Sequence, residues 1–283
     1  MSKVGIVADS SSCIPADFVK EYGIGIAPVG LVIDRERYLD TELPTEEFWK
    51  LFYKAKQLPT TTGVNPADFA AAYTKLGKST DTILCITVSS KLSVIHKSAI
   101  QAMEMAREES PNLKIEVIDS NTGTGAHGFL VMEAARAAKA GKSLDEIVQM
   151  VKDMMLRVKW FAAPDTLKYL IKGGRAPKTA VLGEIANIKP IIGMVSGTGL
   201  IENIARARGK QKAIEKIVEL IKKHCDTSKP VHLMVHYSDS IDRAEKLRDM
   251  ITSQIRCTEV YISPYTAIVT AHMGPVAAVS FYS

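Results

Sequence analysis

Two rhythms of apolar and polar residues run along this chain, and one gives way to the other near residue 160. Before that point, short β-rich apolar runs alternate with longer stretches in which apolar residues recur every three or four positions. This is the pattern of strands alternating with amphipathic helices. Residues 3–8 form the first run, ending in Asp9-Ser10-Ser11-Ser12, a polar loop of the kind that lies over the carboxyl edge of a parallel sheet. A helix is expected from about Pro15. Residues 24–33 read as a further strand, folded back at Asp34-Arg35-Glu36 so that residues 37–39 return beside it. Thr45 is placed to cap a helix with Glu46 and Glu47 at its positive end and Phe48, Trp49 and Phe52 toward the core. Asn65 and Pro66 open another helix, after a loop with three hydroxyls, Thr60, Thr61 and Thr62.

The stretch 82–99 is central to this half. Its apolar first part, residues 83–88, has the near-continuous hydrophobicity of a strand buried on both faces. A helix follows, and Ser89, Ser90 and Ser93 lie between the two. Such a junction can hold an anion, because the first N–H groups of a helix lack partners within it; equally, Ser89 or Ser90 can simply cap the helix. Residues 115–118 form a strand ending at Asp119-Ser120, a helix runs from about Thr124 to Ala140, and Ser143 with Glu146 forms a capping box opening a helix to about Val158. The alternation implies a right-handed, mainly parallel, three-layer α/β/α domain.

After Lys159 the strands come closer together. Residues 159–163, 190–195, 200–205, 231–237, 258–262 and 277–282 read as strands separated by only three long helices, with Ser196-Gly197-Thr198-Gly199 as a hairpin turn. This is an α+β arrangement. Two domains are therefore expected, 1–160 and 161–283, bridged by residues 165–187, in which a first helix ends at Gly173-Gly174.

Composition narrows the function classes. The 283 residues suffice for two cores, and 46% hydrophobic with 24% charged residues is ordinary for a globular protein. No apolar run approaches transmembrane length and the N-terminus lacks a signal-peptide core, so a cytoplasmic location is expected. Cys13, Cys85, Cys225 and Cys257 are scattered without metal-ligand spacing and read as reduced thiols. A net charge of +5 with acids and bases interspersed gives little reason to expect nucleic-acid binding. Gly123-Thr124-Gly125-Ala126-His127-Gly128 matches the dinucleotide pattern, but a second helix follows where that fold requires a strand ending in an acid. The glycines are then expected to permit close helix packing, and His127 reads as a satisfied helix histidine rather than a ligand.

Six stretches together, VGIVADSSSCIP, PTTTGVNP, ITVSSKLSVIHKSA, IEVIDS, LIKGGR and HMGPVAAVSFY, resemble the DegV family of bacterial fatty-acid-binding proteins in order and over essentially the whole chain. The resemblance implies an α/β first domain, a second α+β domain with a mostly antiparallel sheet, and one long-chain fatty acid in a tunnel between them. No cofactor or metal is implied. By the same resemblance, the carboxylate falls to Thr61 and Ser93, with Thr62, Arg175 and His272 supporting the head group. Val94, Gly274 and Val276 fall in the tunnel's vicinity, and Val94 and Val276 stand where the family often has glycine. A dihydroxyacetone-kinase-like fatty acid kinase is the implied partner, docking on the basic run at Arg206 and Arg208, with transient contact to a membrane surface and no transmembrane segment. Each buried methylene gains roughly 0.8 kcal/mol against about 1 kcal/mol for a hydroxyl hydrogen bond, so the tail would supply affinity and the head group orientation. The alternative from another class is a serine acyl hydrolase with Ser93 as nucleophile and His272 as base. For it the sequence offers neither a nucleophile elbow nor an orienting third group.

Overall fold

A computed structural model describes residues 4–177 and 187–283. Its first half is built on a four-stranded parallel sheet. The chain runs β1 (Val4–Asp9), a 3₁₀ turn at Ser10–Ser12, α1 (Ala16–Tyr22), β2 (Gly25–Ala27), β3 (Gly30–Ile33), β4 (Glu36–Leu39), α2 (Thr45–Lys54), β5 (Thr60–Gly63), α3 (Pro66–Gly77), β6 (Thr82–Thr87), α4 (Ile95–Glu109), β7 (Lys114–Asp119), α5 (Thr124–Lys139) and α6 (Leu144–Met155). The sheet order is β2-β1-β6-β7. Ile83, Leu84, Cys85 and Ile86 of β6 are all fully buried, as an apolar run covered on both faces must be.

Several local readings give way to tertiary pairing. Residues 24–33 divide into two strands: β2 joins the parallel sheet, while β3 pairs with β4 and β5 in a separate three-stranded antiparallel sheet. The hydroxyl loop is itself a strand, β5, whose pairing with β3 joins residues about thirty positions apart, such as Leu31 and Thr61, and leaves no local signal. Thr45 is the first helical residue after Pro44 and makes no capping bond. Neither Ser89 nor Ser90 caps α4, which begins only at Ile95; Ser89 Oγ instead donates to the Gly199 carbonyl at 2.8 Å.

From Lys159 onward the strands build one six-stranded sheet. The elements are β8 (Lys159–Pro164), α7 (Lys168–Lys172), β9 (Ile188–Met194), β10 (Glu202–Arg208), α8 (Lys210–His224), β11 (Val231–Tyr237), α9 (Ile241–Thr252), β12 (Cys257–Pro264), α10 (Ala267–Met273) and β13 (Val276–Tyr282). In the order β10-β9-β8-β13-β11-β12, every neighbouring pair is antiparallel except β11-β12. The expected start of β10 at residue 200 moves to Glu202, and a register shift between Asn203 and Ala205 interrupts its pairing.

Strand alternation divides this sheet's faces between two cores. Val276, Ala278 and Tyr282 of β13 join the large cluster that runs from the parallel sheet through α5, whereas Ala277, Val279 and Phe281 join a second cluster with α8 and α9. Helix α5 is thus packed against both sheets. Its glycines make this possible: a Cβ on Gly125 would lie 2.1 Å from His236 Nε2, and one on Gly128 2.5 Å from the Ser12 carbonyl oxygen. His127 is fully buried with Nε2 2.9 Å from the Ile86 carbonyl. The G-x-G-x-x-G match is accordingly a helix-packing motif.

Candidate functional site

One cavity is lined by residues of α10, α7 and β5 and by the stretch that follows β6. About 670 Å³ of space lies between its protein atoms, part of it open to solvent. Its walls come from both sheets: Val88 and Ile95 from the β6–α4 junction, Trp160 from β8 and Met194 from β9. Trp160 is fixed at its polar edge, where Nε1 donates to the Tyr265 hydroxyl at 2.8 Å. Ile268, Val269, His272 and Met273 also line it, neighbours at the one- and four-residue spacings of a helix face. In the sequence these residues are indistinguishable from core, and only the period on either side of His272 marks them as one face.

Six polar side chains interrupt this largely apolar wall: Ser11, Thr61, Ser93, Thr124, Arg175 and His272. Thr61 is brought in by strand alternation on β5, which turns its neighbours Thr60 and Thr62 outward. Its Oγ1 lies 3.2 Å from His272 Nε2. Ser93 sits two residues before α4, where its Oγ accepts from the Ile95 N–H at 3.3 Å, so its hydroxyl proton remains available to another acceptor. Arg175 reaches in from beyond α7, with Nε donating to the Leu92 carbonyl at 3.0 Å and Nη1 to the Gly173 carbonyl. Burial lowers its pKa, which marks a cation partly stripped of water.

His272 is held close to α7. A Cβ on Gly173 would come within 2.6 Å of His272 Nδ1, so the glycine of the G-G-R sequence gives the imidazole its room. Burial first, and then the positive charge of Arg175, push the His272 pKa down to about 4. The imidazole is therefore neutral near pH 7. With a proton on Nε2 it donates to Thr61 Oγ1 and leaves the Thr61 hydroxyl free to donate onward.

Other sequence-chosen residues lie elsewhere. Thr62 is exposed, and its Oγ1 packs over Gly30 of the neighbouring strand, so strand alternation takes it out of the head-group cluster. Val94 is 59% exposed, and neither it nor Gly274 nor Val276 lines the cavity. Gly274, at φ +64°, leaves space for the Tyr169 ring, whose Cε2 a Cβ there would meet at 2.2 Å. Val276 is fully buried in β13 and donates its N–H to Ser238 Oγ at 2.9 Å. Arg206 and Arg208 do not begin a helix. They are exposed on the edge strand β10, on the face opposite Ala205 and Ala207, which pack against the second core.

The pairing needed by a hydrolase is not formed: His272 Nε2 faces Thr61 rather than Ser93, and among the described residues no carboxylate hydrogen-bonds or pairs with His272. Glu133, His232 and Glu259 form a group of ligand type for a metal ion. The Arg136 guanidinium, however, is bound to both glutamates and already occupies the position of the counter-charge.

The family model for the uncharacterised proteins of the DegV family matches residues 3–283. The chain belongs to the DegV family. A DegV domain-containing protein of Caldanaerobacter subterraneus is 34% identical over 284 residues, spanning 100% of this chain and 99% of the relative. One of Clostridium perfringens is 30% identical, with 96% and 95% of the two chains covered. Among solved structures, a fatty-acid-binding DegV family protein of Thermus thermophilus superposes with a TM-score of 0.90 at 27% identity, over 100% of both chains. DegV of Bacillus subtilis, a fatty acid binding protein, gives 0.88 at 27% identity, again over 100% of both. The α/β and α+β architecture expected from the sequence is the architecture of these DegV proteins, and among the described residues no helix is long and apolar enough to cross a membrane.

Proposed function

We propose that this protein binds one long-chain fatty acid, without chemistry of its own, in the cavity beside α10. Residues 1–160 and 161–283 act as the two units that close on the acid. The observation that carries this reading is the presence of Thr61, Ser93, Arg175 and His272 on a cavity whose other walls, apart from Ser11, Gly123 and Thr124, are aliphatic, Met and Trp side chains. An amphiphile with one anionic end is the ligand class that such a wall fits. Thr61 and Ser93 donate hydroxyl protons to the carboxylate, His272 orients the Thr61 hydroxyl, and Arg175 supplies the compensating charge, since a buried carboxylate without donors is costly. The fatty-acid-binding DegV proteins of similar fold support the same ligand class. Native mass spectrometry of the purified protein should show an added mass equal to a free fatty acid, released on denaturation. Turnover of an acyl ester dependent on Ser93 would instead establish the hydrolase.

In this reading the bound acid is presented, in the cytoplasm, to a fatty acid kinase of dihydroxyacetone-kinase type that phosphorylates the carboxylate. Arg206 and Arg208 form its docking patch, because exposed cations on an edge strand are suited to steering an acidic partner. Reversing charge at both positions should abolish acyl phosphate formation with a cognate kinase and leave fatty-acid binding intact. Phosphorylation that persists at physiological salt places the kinase elsewhere.

A further inference from the structure

A second cavity, remote from the lipid site in its lining, opens at the end of β8 and the start of β9, against the first turns of α8 and α9. It has about 890 Å³ of space between protein atoms, part of it open to solvent. Its charged lining consists of Asp165, Lys189, Lys210, Asp239 and Arg243. Asp165 accepts from Lys210 Nζ at 2.9 Å and lies 3.4 Å from Arg243 Nη2. Arg243 Nη1 lies 3.2 Å from Asp239 Oδ2. Lys189 Nζ donates to the backbone carbonyl of Asp165 at 3.0 Å, and among the described residues no carboxylate pairs with it. Among the described residues, three cations therefore share two carboxylates.

An ion-pair network that served only to tie strand ends to helices would close the gap between them and balance its charges. This one borders open space and leaves a cation over. Lys210 and Arg243 stand in the first turns of α8 and α9, and neither helix has a side-chain cap at its N-terminus, so the backbone adds to the positive potential already set by the side chains. Lysine ammonium and arginine guanidinium groups converging on one space form the donor set that holds tetrahedral oxyanions, with Arg offering a planar fork and Lys a compact charge.

We propose that this cavity binds a phosphate group, carried by a soluble small molecule or by a lipid head group, with Lys189, Lys210 and Arg243 as its ligands. Asp165 is the internal competitor: its carboxylate holds Lys210 and Arg243 until a dianion takes them. The site is independent of the fatty-acid reading.

Isothermal titration of the full chain with inorganic phosphate at low ionic strength tests this, with sodium chloride as control. One phosphate should bind per chain, and the double variant Lys189→Gln, Lys210→Gln should weaken binding at least tenfold. Asp165→Asn should tighten it several-fold, because the anion no longer displaces a carboxylate. If Asp165→Asn lowers the melting temperature and leaves phosphate affinity unchanged, the cluster is a structural tie and the proposal fails; heats no larger than those of chloride overturn it equally. Lys189→Gln alone, which leaves both carboxylate pairs in place, keeps the test decisive if Asp165→Asn does not fold. Flotation with phosphatidylglycerol vesicles separates the sources. Vesicle binding displaced by phosphate and lost in the double variant assigns the site to a head group, while phosphate binding without vesicle binding assigns it to a soluble molecule.

Discussion

Two histidines of this protein look alike by the usual measures and differ in what surrounds them. His236 and His272 are both shielded from water, with pKa values pushed down by burial to about 3 and about 4. Each is approached by a glycine where a methyl group would collide. His236 is closed in on every side: Nδ1 faces the Ser263 carbonyl at 3.2 Å, Nε2 the Ser280 hydroxyl at 3.5 Å, and the ring stacks on Tyr265 at 4.9 Å. His272 meets one hydroxyl, one guanidinium charge and open space. Depressed basicity marks burial in both cases. The unfilled side of the ring separates the proposed binding group from a packing group.

The largest effects should come from filling the two glycine gaps. Gly125→Ala presses on a ring with nowhere to go and should destabilise the protein by about 3 kcal/mol, the upper end of ordinary overpacking, read as a lower denaturant midpoint with ligand stoichiometry unchanged. Gly173→Ala presses on His272, which can yield into the cavity, so it should cost about 1 kcal/mol of stability and reduce fatty-acid affinity disproportionately. Equal stability losses with unchanged affinity would erase the distinction between the two sites.

Next in size is Arg175→Ala, which removes the one cation that lines the cavity among the described residues. Affinity for a free fatty acid should fall about tenfold or more, as expected for a charge-assisted hydrogen bond, while affinity for the methyl ester of the same chain length should scarcely change. Equal losses for acid and ester would make Arg175 a helix-end tie to Leu92. Thr61→Ala and Ser93→Ala should each cost about 1 to 2 kcal/mol of acid binding, and the double variant should depart from additivity because both hydroxyls serve one carboxylate. Loss of thermal stability with intact binding would return Ser93 to its local bond with the Ile95 N–H.

These side chains differ in how far the sequence exposes them. Strand β6 and helices α3, α5 and α6 are legible because their signals are local: an apolar run, an Asn-Pro start, a Gly stop, a capping box. The division of residues 24–33 and the strand character of Thr60–Gly63 are not, because both depend on pairing between β3 and β5. The family resemblance singles out Thr61, but nothing in the residues themselves separates it from Thr62 until that pairing fixes which hydroxyl turns inward. Likewise Trp160, Met194 and Ile268 carry no mark distinguishing a cavity wall from a core, since both are apolar and the empty space is a property of the assembled sheets.

A further effect, confined to acid pH, is on stability. Both histidines have folded-state pKa values below their ordinary one, so the unfolded chain takes up protons first as pH falls below about 6.5. Stability is full above that value and declines toward pH 4 by about 1.4 kcal/mol per pH unit for each histidine, the decline attributable to His236 continuing to about pH 3. His236→Gln should flatten this slope by one proton's worth in a pH series of unfolding midpoints. An unchanged slope would mean that His236 does not titrate as a buried base.

The contrast between the two rings is read most directly by nuclear magnetic resonance titration of the histidine C2–H signals in delipidated and fatty-acid-loaded protein. A carboxylate placed beside Thr61 and Arg175 must favour the protonated form of His272, so its pKa should rise on loading while that of His236 stays where burial holds it. If both values are the same with and without the acid, no carboxylate lies at His272 and the account of the site is wrong.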